Sequence, residues 1–571
     1  MIRKLIKIIK TITDNRFFPV VLIAGLSVFT FASILRPGYF PMHDDLQVFR
    51  LLEMDKCIKD GQIPCRWVPD AGFGYGYPLF NYYPPFPYYL GEIFHLVGLG
   101  VGFFDTVKIL YALSLLSSGV FMYLLAKEFF GKTAGFISAV LYLFAPYHAL
   151  DLYVRGALNE FFALAIIPLV FWSVAKFIRE EKFWQIILTA VSFGLLFLSH
   201  NIMTMIFSPI LAVWAGLLFL FKEKKDIKIF LKLGLAALWG LGLAAFFFLP
   251  VLLEKQYAHT ETMFIGYFNY LAHFADLKQM FLSTYWGFGG STWGPGDEMS
   301  FQIGYFHWLL AFASFIFAAV TFKKNKLLSS MVFLGFIFGM GAAFLAHSKS
   351  SFIWEKVNFL AYLQFPWRLV GVTTFGFSLA GGFLVYLVEK TRIKSFLIFF
   401  LAAFIIAINF SYFQPGKWFP NVTEREKFSG PLWDLQVTGG IFDYLPIYAK
   451  YPPAGPPSGP YELTDGKAEI TSLSKGTNWI SFRAKTENGA KIRLSQYDFP
   501  GWTVKIDGKK IVHTHEDELG RINFVLPAGD HAVSAKLEDT LVRKTANLIS
   551  LFSWILVAAV FLRKHLYAVK G

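Results

Sequence analysis

His43, Asp44 and Asp45 stand side by side just past the first apolar stretch of the chain. Two adjacent carboxylates are groups that can take a proton from an acceptor hydroxyl. Held outside the cytoplasm, at the rim of a membrane bundle, they would work away from nucleotides while the bilayer delivered the other substrate, which suggests a transferase with a lipid-linked donor. One carboxylate could instead hold a divalent cation, Mg2+ or Mn2+, although no spacing here defines a metal site. A lipid-phosphate donor calls for cations beside its phosphate. His148, Asp151 and Arg155 are spaced three and four apart, which places them on one helix face, and Arg155 can clamp a phosphate or pair with Asp151 or Glu160. Arg368, next to Trp367, is a second cation of the same kind. His200 and Asn201 can donate hydrogen bonds to phosphate or sugar, or simply meet water and headgroups at a helix end.

Something must hold these groups, and composition says what. Of 571 residues, 55% are hydrophobic, 19% aromatic and only 16% charged. That is more apolar surface than one soluble core can bury, so the chain reads as an integral membrane protein. The net charge of +14 falls mainly in short gaps between apolar stretches, where it records topology and not a nucleic-acid partner. Runs of about 17 to 25 apolar residues lie near 17–36, 104–125, 133–150, 161–178, 183–199, 202–221, 230–250, 301–321, 327–346, 369–388, 394–413 and 545–562, which predicts about twelve membrane-spanning helices. With Arg3, Lys4, Lys7 and Lys10 cytoplasmic, every second gap should be basic. Lys127 and Lys132, Arg179 and Lys182, Lys222 to Lys228, Lys323 to Lys326, Lys390 to Lys394, and Arg563 with Lys564 satisfy that rule and place both termini inside. The first stretch reads as a span, being longer than a usual signal core and lacking a small-x-small site before Pro37.

Three outer segments follow, at about 37–103, 251–300 and 414–544. In the first, the pattern over Leu46 to Ile58 predicts an amphipathic helix along the membrane surface. Asp44 or Asp45 would cap it, a role that accounts for one carboxylate and not for both. Cys57 and Cys65 flank a Lys59-Asp60-Gly61 turn; outside the cytoplasm they can form a disulfide, with two free thiols as the alternative. From Trp67 to Pro85 the density of glycine and proline predicts a tightly turned loop at the interface, its rings anchoring the boundary, stacking on a sugar or enclosing a polyprenyl chain. The second segment, with Tyr257, His259, Trp286, Trp293 and Gly294-Pro295-Gly296, reads as a connector or as a loop that closes over a substrate. The third is polar, is interrupted by the stiff 451–457 linker, and then alternates strands with Asp507-Gly508 and Pro527-Ala528-Gly529-Asp530, both hairpin signals. A small β-sandwich follows, as a glycan grip or a structural lid. The division expected is therefore 1–413 transmembrane domain, 414–544 extracytoplasmic β-rich domain and 545–571 final helix and tail. No Walker loop, dinucleotide fingerprint or HExxH motif occurs.

The stretch from His43-Asp44-Asp45 through Gly61-Gln62-Ile63-Pro64, Arg66-Trp67, Gly74-Tyr75-Gly76-Tyr77-Pro78 and Tyr83-Pro84-Pro85 resembles the bacterial membrane family labelled 6-pyruvoyl-tetrahydropterin synthase-related, and also the YfhO-like membrane proteins. Arg155-Gly156-Ala157 with Glu160, Ser199-His200-Asn201, Phe365-Pro366-Trp367-Arg368, Asp498-Phe499-Pro500-Gly501-Trp502 and Asp507-Gly508 extend the resemblance over nearly the whole chain. Nothing here offers the zinc-binding histidine cluster of a soluble pterin synthase, so the label does not describe chemistry. The resemblance implies instead the GT-C superfamily of polytopic glycosyltransferases, which draw sugar from a polyprenyl-phosphate carrier and carry acidic residues in the first outer loop. Asp44 and Asp45 occupy that position; His43 is not part of the general motif. The acceptor would be an envelope glycan, teichoic acid or lipid. The other classes are a transporter or lipid flippase, which about twelve spans and buried polar groups also fit, and a noncatalytic envelope-assembly scaffold, in which the outer sandwich is the working part.

Overall fold

The computed structural model describes residues 17–98, 100–294, 296–388 and 394–570. Arg3, Lys4, Lys7 and Lys10, Lys390 and Pro295, on which the topology and turn readings drew, lie outside them, as does the side chain of Lys564. The chain forms two compact units: the described residues of Met1–Asp45, Phe104–Gly240 and Phe264–Asn421, and those of Leu46–Phe103, Leu241–Met263 and Val422–Gly571. This grouping cuts the chain differently from the expected 1–413, 414–544 and 545–571.

The first unit is helical, and the second holds helices too, Ala245–Leu253 and Leu541–Arg563 among them. Each predicted apolar stretch falls on helix, but among the described residues only six helices are long and apolar enough to cross a membrane by themselves, or up to seven with the bent pair Lys228–Leu243 and Ala245–Leu253. Four more apolar helices are shorter, among them Phe18–Ile34 and Phe183–Ser199. The count of six treats Phe103–Arg155 as one span. At about 1.5 Å per residue, such a helix would greatly exceed the roughly 30 Å of a bilayer core. It is broken at Gly131, whose φ of 84° and ψ of 174° no helix accommodates. Past the break the chain doubles back, since a Cβ on Gly135 would sit 2.8 Å from the backbone nitrogen of Lys127. Helices Lys326–Ala346 and Val370–Val388 cross where Gly335 and Gly376 face each other's carbonyls, the small-residue contact by which apolar helices approach closely.

In the second unit eight strands form two antiparallel sheets. They are β1 (Tyr461–Gly466), β2 (Glu469–Lys475), β3 (Trp479–Thr486), β4 (Ala490–Tyr497), β5 (Trp502–Ile506), β6 (Lys509–Ile511), β7 (Arg521–Leu526) and β8 (Gly529–Leu537). The orders are β1-β4-β7 and β2-β3-β8-β5-β6, and residues of both sheets share one core, including Ile480, Phe482, Ile492, Leu494 and Phe524. The predicted hairpin at Asp507-Gly508 joins β5 to β6, with φ of 51° and 78° at its two central residues. The turn at 527–530 corrects the other hairpin reading. It links β7 in one sheet to β8 in the other, and so carries the chain across the sandwich.

Two readings of the first outer segment are also corrected. Helix Gln47–Lys59 exists, but it is no surface helix: Gln47, Arg50, Glu53 and Asp55 are buried along with Val48, Leu51 and Met54. Its polar side chains find partners inside the unit. Tyr88 donates to Gln47 (2.6 Å), Arg50 donates to the Tyr83 hydroxyl (3.0 Å), and Glu53 accepts from Lys56 and from the Asp70 N–H at 3.1 Å each. Its cap position is Leu46, which makes no side-chain cap bond, so neither aspartate occupies the cap. The aromatic loop is likewise buried. Trp67 packs on Phe499 and Trp502, Tyr75 on Tyr497, and Tyr82 on Tyr444, all within the sandwich core. Cys57 and Cys65 are joined in a disulfide.

Candidate functional site

In the first unit, helix Pro146–Leu150 continues into a π-helical turn, Asp151–Arg155, which Gly156 ends in the left-handed region at φ 66°. A Cβ on Gly156 would lie 2.7 Å from the Met42 Cβ and 3.2 Å from the Asp44 carbonyl oxygen. The bare glycine therefore lets the first loop run against the turn. His43 N–H donates to the Val154 carbonyl (3.0 Å) and Asp44 N–H to the Arg155 carbonyl (2.8 Å). Asp44 and Asp45 are half-buried there, and His43 is exposed. The Nε2 of His43 lies 3.0 Å from the Phe288 carbonyl. Surrounding protein lowers the His43 pKa below its usual 6.5, the Phe288 bond opposes this, and the charge of Arg155 lowers it further. The ring is thus neutral at pH 7, and because a carbonyl can only accept, Nε2 carries the proton and Nδ1 keeps its lone pair.

Just behind the turn lies a buried ion cluster centred on Glu160. Its Oε2 accepts from Arg155 Nη2 (2.8 Å) and from Arg368 Nε (3.0 Å), and its Oε1 accepts from the Tyr147 hydroxyl (2.7 Å). Arg155 also pairs with Asp151 through Nη1, and Arg368 donates from its own Nη1 to the Leu363 carbonyl (2.7 Å). Two guanidinium groups are thus held side by side on one carboxylate oxygen, a geometry that bridging by a phosphate could extend. The faces around them are aromatic. The Arg155 guanidinium lies 4.5 Å from the centroid of the Trp367 ring, and Trp367 stacks with Phe365 and with Phe301 while its Nε1–H donates to Ser291 Oγ (3.0 Å). Segment 264–300 thereby supplies both Ser291 and the Phe288 carbonyl to this region.

Of the residues singled out from sequence, Asp151, Arg155, Glu160 and Arg368 come together, with Asp44 tied on through its main chain. His200 is within electrostatic reach of Glu160, Arg155 and Arg368, but its Nδ1 accepts the Met203 N–H (3.1 Å) as the cap of helix Asn201–Leu220. The side-chain Oδ1 of Asn201 accepts from the Ile202 N–H (3.0 Å). His148 departs from the expected row: its ring packs edge-on against Tyr142 and Phe161. Tyr147, Ser291 and Phe288 were missed. A tyrosine in an apolar run and a serine in a loop carry no spacing signal, and a main-chain carbonyl carries none at all.

Residues 80–415 match the family model described as 6-pyruvoyl-tetrahydropterin synthase related domain, a membrane protein. An uncharacterized protein of Lactococcus lactis subsp. cremoris (strain MG1363) is 26% identical over 297 residues, 50% of this chain and 46% of that protein, so the match spans about half the relative's length. Among solved structures, the arabinofuranosyltransferase AftD from Mycobacteria is 12% identical with a TM-score of 0.45, over 71% of this chain and 27% of its own. ArnT from Cupriavidus metallidurans, bound to undecaprenyl phosphate, is 15% identical with a TM-score of 0.41, over 69% and 64%. An oligosaccharyltransferase of Archaeoglobus fulgidus is 14% identical with a TM-score of 0.37, over 69% and 52%.

Proposed function

This chain belongs to the 6-pyruvoyl-tetrahydropterin synthase related family of membrane proteins, and we propose that it is a glycosyltransferase moving a sugar from a polyprenyl-phosphate donor to a hydroxyl of an extracytoplasmic glycan, teichoic acid or lipid. One observation carries the reading: the 2.8 Å bond from Asp44 N–H to the Arg155 carbonyl, which sets the acidic pair on the turn that bears one of two clustered guanidiniums. A base and an anion clamp are the two things a displacement at a phosphate-linked anomeric carbon requires.

In this mechanism Asp44 or Asp45 takes the proton of the acceptor hydroxyl. Its oxygen bonds to the anomeric carbon as the bond from that carbon to the phosphate oxygen breaks, and the electron pair leaves on the phosphate. Arg155 and Arg368 offset the charge that develops there, while Glu160 keeps both in place between turnovers. His43, neutral and held by Phe288, leaves an Nδ1 acceptor for a sugar hydroxyl.

The test is transfer of labelled sugar from a synthetic polyprenyl phosphate in proteoliposomes supplied with envelope acceptor. Asp44→Asn and Asp45→Asn are made separately, and the one that removes the base should lower the rate by about 100-fold or more. Full transfer by both variants would overturn the mechanism.

A further inference from the structure

In the second unit, helices Gln47–Lys59 and Phe86–Leu96 pack against each other, and Asp55 on one meets Glu92 and His95 on the other. Glu92 and His95 are three residues apart and so share a helix face. One ligand atom from each of the three lies within 4.8 Å of the others. Both acids are buried, Asp55 at 5% and Glu92 at 1% exposure. Half of their oxygens are occupied: Lys59 Nζ donates to Asp55 Oδ2 (2.8 Å), and His95 Nδ1 lies 3.2 Å from Glu92 Oε1. The other two, Asp55 Oδ1 and Glu92 Oε2, are buried and meet no N–H or hydroxyl donor, only the neighbouring acid. Orphaned carboxylate oxygens are costly to keep, more so when two acids adjoin. Lys59 is largely exposed and offsets only part of that charge.

We infer that Asp55, Glu92 and His95 bind a divalent transition-metal ion that fastens the two helices together. The donor set decides the class. Two carboxylate oxygens alone would suit Mg2+ or Ca2+, whereas adding an imidazole nitrogen favours Zn2+ or Mn2+. Such an ion would serve folding and not transfer, for it would tie together two helices, one of which carries Cys57 of the disulfide, and none of its three ligands is a residue assigned to the transfer. The inference therefore stands apart from the glycosyltransferase reading, and its assay needs no sugar.

The full chain, purified in detergent and stripped with EDTA, is dialysed against Zn2+ or Mn2+, after which bound metal and melting temperature are measured. One equivalent per chain is expected, with a rise of about 3 °C at a hundredfold excess over Kd. Both should be lost in Glu92→Gln and in His95→Gln. The second variant removes a neutral donor and carries the comparison should the first fail to fold. No stoichiometric metal in the wild type, leaving the two acids to share a proton, would overturn the inference; so would a full equivalent retained by both variants.

Discussion

Glu160 holds two guanidinium groups on one oxygen at 1% exposure, so its removal strips the buried Arg368 of its carboxylate partner and leaves Arg155 with Asp151. Glu160→Gln should cost roughly 3–5 kcal/mol, the range found when one partner of a buried pair is deleted. Thermal melting of the purified protein would show it, and a loss within that of an ordinary surface change would mean the cluster is solvated. His43 sets a pH dependence of definite sign. Its pKa in the folded chain is lowered from 6.5, so the stability tied to its neutral form is present above 6.5 and is lost as pH falls through the folded value. Melting curves of wild type and His43→Gln should accordingly diverge below pH 6.5, the wild type losing more. Arg155, Glu160 and Arg368 were legible because charges in apolar runs are rare and need partners. Their partner Tyr147 was not, since its hydroxyl contributes nothing to a pattern of hydrophobic spacing.

Elements follow local rules, and the sandwich shows how far those rules reach. Asp507-Gly508 takes the left-handed conformation its residues favour and closes the β5–β6 hairpin, as local turn chemistry foretells. Gly508 has open space where a Cβ would go, so Gly508→Ala meets only the backbone cost of φ 78°. That should lower stability by about 1 kcal/mol, measurable by denaturant unfolding of the full chain, and an unchanged midpoint would show that the turn is not needed in this form. The turn at Pro527 obeys the same local chemistry, yet β7 and β8 lie in different sheets. A turn signal fixes a reversal, while strand pairing is decided by the packing of both faces. Helix Gln47–Lys59 teaches the same lesson. Its polar face reads as water-facing until Tyr83, Tyr88 and Asp70 are placed beside it, and nothing within thirteen residues announces them.

At the scale of the whole molecule the apolar stretches were the clearest signal, because a bilayer demands long hydrophobic runs and little else. The number of crossings is another matter, since Phe183–Ser199 and Tyr305–Thr321 are short, and Phe103–Arg155 is long and broken. Parity can decide it. Between Lys224 and Lys509 the described residues hold the bent pair Lys228–Leu253, then Tyr305–Thr321, Lys326–Ala346, Pro366–Val388 and Phe396–Tyr412. If each crosses once, the number is odd and the two lysines, both exposed, stand on opposite sides. The native cysteines are locked in a disulfide and give no background to a thiol reagent. A membrane-impermeant maleimide applied to intact cells should therefore label Lys509→Cys and spare Lys224→Cys until the membrane is opened. Labelling of both from outside would make one of those helices a re-entrant or surface element. It would also leave Asp44, placed by the same alternation on the side of Lys509, without its assigned position outside the cytoplasm, and the proposed base would have no lipid-borne donor to meet.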